Sequence, residues 1–87
     1  MARHNLDNSL LIELWQWSEA MFLDKTQGSP LRRTGYVNFL RNLAIGIGNA
    51  PYTADNITAL ESRLGTLGDV LDEHIHWAIA EQQAKAN

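Results

Sequence analysis

The chain has 87 residues, of which 45% are hydrophobic and 20% charged, and its formal net charge is −3. These values are typical of one small globular domain, and they exclude a disordered chain and a protein that binds nucleic acid over its whole surface. The absence of cysteine excludes a disulfide framework, a thiolate zinc site and a cysteine nucleophile on this chain. No apolar run approaches the roughly 20 residues of a membrane span. Surface scaling predicts a folded surface of roughly 5,200 Å², which is compatible with a single core.

The first two helices are predicted ahead of a strong break. One face of the first helix carries Leu10, Leu11, Leu14 and Trp15. Asp7 is its predicted N-cap, because a carboxylate accepts hydrogen bonds from the free amides of a first turn. A second, short helix is expected to start at Ser18 and to end near residues 28–30, where the sequence Gly-Ser-Pro interrupts helices.

The third predicted helix has the clearest apolar stripe. Its members are Tyr36, Leu40, Leu43, Ala44 and Ile47. Thr34 or Gly35 is expected to start this helix. The sequence Gly-Asn-Ala-Pro at 48–51 is expected to end it, because Gly or Asn suits a left-handed cap and Pro cannot continue a helix.

Two more helices complete an all-α prediction. Thr53 is the N-cap of the first, which is expected to stop at Gly65, and Asp69 opens the second. Their apolar faces are formed by Ile57, Leu60 and Leu64 and by Leu71, Ile75, Ala78 and Ile79. The polar residues at the end of the chain, 83–87 in particular, are expected to fray. No alternating β-branched run occurs, so strands are not expected.

A weak internal repeat relates the third and the last predicted helices. One constant shift places Leu40 on Leu71, Ala44 on Ile75, and Ile47 on Ala78. Each unit would be a helix pair that buries its apolar face by stacking on a neighbour, with the N-terminal helices as the cap. The predicted architecture is therefore a short antiparallel helical array, a fragment of an α–α superhelix.

No catalytic or metal site is predicted from these residues. His74 and His76 are two apart on a helix and point about 200° away from each other, which favours one packed and one exposed histidine over a metal pair. Gly46 and Gly48 stand at the end of a helix, where they suit close helix packing and a C-cap better than phosphate binding. The three tryptophans at helical spacing are predicted to be core residues: Trp15, Trp17 and Trp77.

The positive charge is concentrated in the central segment, residues 25–54, which contains no Asp or Glu. Its cations are Lys25, Arg32, Arg33 and Arg41. Arg41 is turned about 100° from Leu40 on the helix and so lies off the apolar stripe. Guanidinium groups held near helix ends can grip phosphate oxygens in a fork. The alternative is that these cations form weak surface ion pairs with the acidic flanks, and the residues alone leave both interpretations open.

The segment GSPLRRTGYVNFLRNLAIGIGNAP (residues 28–51) resembles the C-terminal region of epoxyqueuosine reductases, the cobalamin and iron–sulfur enzymes of tRNA queuosine synthesis. The likeness covers nearly the whole chain. It extends over RHNLD (3–7), LIELWQWSEAMFLDKTQGSPLRR (11–33), ALESRLG (59–65) and LDEHIHWAIAEQ (71–82).

The resemblance implies a HEAT-like helical module that helps to hold the substrate tRNA. The reductase chemistry of the family lies upstream, on cobalamin and two iron–sulfur clusters ligated by cysteine runs that this chain lacks. We therefore expect an excised C-terminal module of a longer cytoplasmic enzyme, with residues 1–7 as a linker remnant. This module is expected to be a monomer without a cofactor or catalytic site of its own, and to contact tRNA and the upstream catalytic domain.

By match to the family motif, Arg32, Arg33 and Arg41 are expected to contact the tRNA backbone, with Lys25 and Asn42 as second choices. The chain departs from the family at Gly46, where members more often carry alanine, and this glycine weakens the helix by about 0.5–1 kcal/mol. The alternative is a structural helical cap or protein-interaction scaffold without direct RNA contact. In that case the arginines would pair with acids of the catalytic domain.

Overall fold

The computed structural model describes residues 2–86 and the side chains of residues 8–86. Within that range the chain forms helices joined by turns and contains no strand, which confirms the all-α prediction. None of the helices described is long and apolar enough to cross a bilayer. The helices are α1 (Ala2–Trp15), α2 (Glu19–Lys25), α3 (Leu31–Thr34), α4 (Tyr36–Asn49), α5 (Ala54–Glu61) and α6 (Asp69–Ala86).

The predicted N-cap Thr53 and the predicted helix start Ser18 both form capping hydrogen bonds. The hydroxyl of Ser18 accepts from the amide of Met21 at 3.1 Å at the start of α2. The hydroxyl of Thr53 accepts from the amide of Asn56 at 3.0 Å at the start of α5. Each bond satisfies one of the amides that a first helical turn leaves free.

Several predicted boundaries are wrong. Helix α1 begins at Ala2, so Asp7 lies within it and is not its N-cap. The predicted start lay just before the first apolar residues. The residues ahead of them are mostly polar, so they show no apolar periodicity from which a helical turn could be predicted. Leu10, on the predicted apolar face, is exposed. Helix α5 ends at Glu61, before the predicted stop at Gly65.

The short helix α3 was not predicted. Gly35, with a φ of 86°, separates α3 from α4, so that Arg32 and Arg33 lie on one helical turn of their own. A positive φ is available to glycine without steric strain, which explains why the break falls at this residue. Gly35 is the N-cap of α4, so of the two predicted starts, Thr34 and Gly35, the structure has Gly35.

Helices α4 and α6 lie side by side and run in the same direction. Ile45 and His74 line one groove, and farther along both helices the carbonyl of Ile47 accepts from Gln82 Nε2 at 2.8 Å. The residues related by the predicted repeat are all buried: Leu40, Leu71, Ala44, Ile75, Ile47 and Ala78. The two helices therefore bury matching stripes, and the HEAT-like classification stays a prediction.

Helix α5 runs opposite to α6. At its start, the amide of Thr53 donates to Gln82 Oε1 at 3.2 Å. In the turn that follows α5, the amide of Gly65 donates to Asp72 Oδ1 at 3.0 Å, close to the beginning of α6. Successive helices α4, α5 and α6 thus alternate in direction, as the prediction of an antiparallel array requires.

Helix α1 packs along α5 in the same direction. Asn8 Oδ1 accepts from Asn56 Nδ2 at 3.3 Å, and one turn of α5 later Trp15 Nε1 donates to the carbonyl of Ala59 at 2.6 Å. Helices α1 and α5 therefore run against α4 and α6. This arrangement leaves one side of α4 and α6 open to solvent.

The core is apolar and continuous, and the described structure has a solvent-accessible surface of 5528 Å². An aromatic cluster closes the end near α2, where Phe22 and Phe39 have ring centroids 4.8 Å apart and Trp17 stacks on Phe39 at 5.7 Å. The hydroxyl of Tyr36 donates to the carbonyl of Trp17. Burial raises the pKa of Tyr36 above its ordinary value, so its phenol stays protonated and keeps this bond over the usual pH range.

The end of α6 is connected to α4, and fraying of residues 83–87 stays a prediction. Helix α6 continues to Ala86. Gln82 is fully buried, and Lys85 Nζ donates to the carbonyls of Gly48 at 2.7 Å and Ala50 at 2.8 Å. These two side chains tie the end of α6 to the C-terminal end of α4, where helical carbonyls lack intrahelical partners.

We expect Gly48→Ala to lower the free energy of unfolding by about 1–3 kcal/mol, in the range of other overpacked sites. An alanine Cβ there would lie 2.7 Å from Trp77 Cζ3 and 3.0 Å from the Cα of Ala78, so backbone as well as side chain would have to move. Chemical denaturation measures the effect.

Gly46→Ala is the matched control. Its Cβ would lie 3.4 Å from the nearest atom, Leu11 Cδ2, which is an ordinary contact. The replacement should therefore stabilise the helix by about 0.5–1 kcal/mol. Equal effects of the two variants would contradict the assignment of Gly48 as the residue that permits close packing of α4 on α6.

Candidate nucleic-acid interface

Arg32 and Arg33 line the same surface groove, which has a volume of about 530 Å³ and is completed by residues 28–30. Both side chains are exposed to solvent. The amide of Arg32 already donates to the carbonyl of Ser29 at 3.1 Å. Because the side chains of Arg32 and Arg33 are exposed, their guanidinium groups are accessible to a ligand in this groove.

Arg41 is half-buried on α4 and is held in place by hydrogen bonds. Its Nη1 donates to Asn38 Oδ1 at 2.9 Å, and Asn38 Nδ2 donates to the carbonyl of Thr34 at 2.8 Å. These bonds connect Arg41 to the last residue of α3, the helix that carries the other two arginines. Its buried Nε has no hydrogen-bond partner within the described structure. A guanidinium that is already oriented loses less entropy when it binds an anion.

Lys25 and Asn42 are exposed. Lys25 is the last residue of α2, and Asn42 follows Arg41 on α4. Over residues 8–86, neither Lys25 nor any of the three arginines forms an ion pair with a carboxylate. The described structure thus gives no support to the interpretation in which these cations form ion pairs with carboxylates of the acidic flanking segments.

The two histidines whose side chains the structure describes, His74 and His76, have different surroundings. His74 is half-buried and donates from Nδ1 to the carbonyl of Val70 at 2.9 Å, whereas His76 is exposed. The side chain of His4 lies outside the described residues. Within the described range, no three His, Asp or Glu side chains converge as metal ligands.

Two of the three tryptophans are core residues as predicted. Trp15 is buried and Trp17 packs against the core. The prediction for Trp77 is wrong, because its side chain is 40% exposed. Trp77 is turned about 100° from the buried Ala78, so helix geometry alone could have indicated a surface position.

Comparison with known proteins relates the chain to epoxyqueuosine reductases. It is 53% identical over 77 residues to the epoxyqueuosine reductase of Pseudomonas aeruginosa and 54% identical over 85 residues to that of Salmonella typhimurium, alignments that cover 88% and 98% of the chain. The chain is homologous to epoxyqueuosine reductase. The Escherichia coli epoxyqueuosine reductase is 53% identical over 77 residues.

The chain spans only about a fifth of the length of these reductases, 20–22% in the three comparisons. The family resemblance seen in the sequence is confirmed at this level of identity. No protein-family model matches the chain, and no solved structure matches it.

The iron–sulfur clusters that the resemblance implies do not fit the residues of this chain. Iron–sulfur clusters are held by cysteine thiolates, and the chain has no cysteine. The ligands of such clusters in an epoxyqueuosine reductase would have to come from outside this segment. The candidate site on this chain consists of the exposed Arg32 and Arg33 and the hydrogen-bonded Arg41.

Proposed function

We propose that this chain is a tRNA-contacting helical module of an oxidoreductase that converts epoxyqueuosine to queuosine in tRNA. The module binds and positions the substrate, and the catalytic groups lie on another part of the enzyme. The proposal rests on homology to epoxyqueuosine reductases and on the cations of the central segment.

The observation that carries the proposal is the exposure and orientation of these cations. Arg32 and Arg33 of α3 are exposed in one groove. On the neighbouring helix α4, Asn38 orients the side chain of Arg41. All three lie in a segment without acidic residues. Phosphate oxygens are the ligands that such fork-shaped donors prefer, and a nucleic-acid backbone presents them at regular spacing.

The proposed contacts read the shape and position of the RNA. A-form helices hide their base edges in a deep groove, so arginines on the backbone set the register of a stem without reading its sequence. A base that is to be modified must leave its stack to reach a catalytic pocket. The role of this module would be to hold the stem while that base is presented to the catalytic part of the enzyme.

The salt dependence of binding to a tRNA transcript tests the proposal. With about three phosphates neutralised, the logarithm of the association constant should fall with the logarithm of salt concentration with a slope of about −2 to −3. Arg32→Gln, Arg33→Gln and Arg41→Gln should each reduce the slope by about 1.

Lys85→Gln is the matched control, because it removes one positive charge from the end of α6, where Lys85 binds backbone carbonyls. Its slope should equal that of the unmodified protein. A flat slope, or a slope that Arg41→Gln leaves unchanged, would overturn the proposal. Either result would favour a helical cap or protein-interaction scaffold without RNA contact.

A further inference from the structure

Helix α3 depends on polar contacts for its position, because none of its side chains is buried. It is a single helical turn whose two arginines, Arg32 and Arg33, face solvent. At its start, the hydroxyl of Ser29 accepts from the amide of Leu31 at 3.1 Å. Apolar burial therefore contributes little to the placement of the two arginines, and the hydrogen bonds at the two ends of α3 matter more.

Asn38 spans the break between α3 and α4. Its Nδ2 donates to the carbonyl of Thr34, the last residue of α3, at 2.8 Å, and its Oδ1 accepts from Arg41 Nη1 at 2.9 Å. Between the two helices the chain turns at Gly35, whose φ is 86°. Glycine restricts the backbone less than other residues do, so the backbone alone leaves α3 free to change its angle to α4. The side chain of Asn38 is a second connection across this position.

This one side chain acts on guanidinium groups of two helices. Its amide nitrogen holds the end of α3, and its oxygen holds Arg41 of α4. The Nε of Arg41 is buried and has no hydrogen-bond partner within the described structure, so the bond from Nη1 to Asn38 is the contact that orients this guanidinium. A carboxamide is uncharged, so it orients the arginine without neutralising it as a carboxylate would.

We propose that Asn38 is a positioning residue for RNA binding, which holds α3 and Arg41 in one arrangement before the RNA arrives. The inference rests on the proposed function, and it adds a residue that itself contacts no phosphate. Side chains ordered in advance lose less conformational entropy when they bind. Asn38 therefore raises the affinity for RNA, while the number of phosphates contacted is set by the arginines.

Asn38→Ala, measured with a tRNA transcript over a series of salt concentrations, tests this role. The affinity should fall by about 2- to 12-fold, the range for one side chain ordered in advance. The slope against salt should stay the same, because all three arginines remain. In an Arg41→Gln background the loss caused by Asn38→Ala should be smaller, because one of the two partners of Asn38 is then absent.

Asn49→Ala is the matched control, because it removes an exposed asparagine from the other end of α4. It should bind the transcript as the unmodified protein does. Circular dichroism and thermal unfolding of each variant check that the fold is kept.

Asn38→Asp gives a second measurement. A carboxylate three residues before Arg41 pairs with its guanidinium, so the salt dependence should become shallower by about 1 in slope. Asn49→Asp adds the same charge roughly 12 Å along the helix from Arg41, beyond the Debye length of about 8 Å at physiological salt, and should leave the slope unchanged.

Equal affinities of Asn38→Ala and the unmodified protein would overturn this inference, whereas salt-dependent binding, and the proposed function with it, would stand. The same loss of affinity in Asn49→Ala would also overturn it, because the effect would then not depend on the bonds of Asn38. If the unmodified protein showed no salt-dependent binding to the transcript, the proposed function would be wrong and this inference with it.

Discussion

Replacement of Gln82 by leucine is expected to lower the free energy of unfolding by about 3 kcal/mol. Gln82 is fully buried, and its Nε2 donates to the carbonyls of Ile47 at 2.8 Å and Ala50 at 2.9 Å. Its Oε1 accepts from the amide of Thr53. One side chain thus satisfies backbone groups at the end of α4 and at the start of α5.

Leucine fills a similar volume and offers none of these bonds. Each buried group left without a partner costs about 1–3 kcal/mol, although Ala50 keeps its bond from Lys85. For a domain of this size the loss corresponds to a fall in Tm of roughly 10–20 °C. Calorimetry or thermal unfolding followed by circular dichroism measures it.

The neighbouring exposed residue supplies the control. Gln83→Leu makes the same chemical change at the surface and should alter the free energy of unfolding by no more than about 0.5 kcal/mol. If Gln82→Leu proved as mild as Gln83→Leu, the description of Gln82 as the buried connection between α4, α5 and α6 would be wrong.

Arg63→Ala is expected to destabilise the protein by about 2–4 kcal/mol. Arg63 Nε donates to the carbonyl of Trp15 at 2.9 Å and Nη2 to the carbonyl of Trp17 at 2.8 Å. Its guanidinium carbon also lies 6.0 Å from the ring centroid of Trp15 and 5.8 Å from that of Tyr36. Hydrogen bonds from charged donors contribute about 1.5–3 kcal/mol, and a cation at the C-terminal end of α1 is favoured by the helix dipole.

Arg63→Lys should recover only part of this stability, because a lysine ammonium has no planar fork to reach both carbonyls in the same geometry. Arg32→Ala, at an exposed arginine, is the control and should change the free energy of unfolding by no more than about 0.5 kcal/mol. Urea denaturation of the three variants compares them directly. Equal stability of Arg63→Ala and Arg32→Ala would show that the bonds to Trp15 and Trp17 contribute nothing.

The local sequence pattern was sufficient to predict most of the helices. The stripe on α4 is buried as predicted, and the caps at Ser18 and Thr53 form the expected bonds. These features depend on residues within a few positions of one another. The start of α1 and the separate turn of α3 were missed, because polar turns carry no apolar period and a single helical turn is too short to show one.

The candidate site was accessible from the sequence only in part. The absence of acids in the central segment indicated the cations, and the turn of Arg41 away from Leu40 indicated a position off the core. The hydrogen bonds from Arg41 through Asn38 to Thr34 required coordinates.

The sequence by itself determined the all-helical class, the apolar faces and the charge asymmetry, since each follows from residue type and from the helical period. Only the tertiary structure decided the roles of Arg63, Gln82 and Trp77. Arg63 and Gln82 bind backbone carbonyls, and Trp77 packs against a bare glycine backbone. Every residue has the same backbone carbonyl, so a side-chain pattern cannot indicate which carbonyl a buried side chain will bind. The partner is determined only when helices that are distant in the chain pack together.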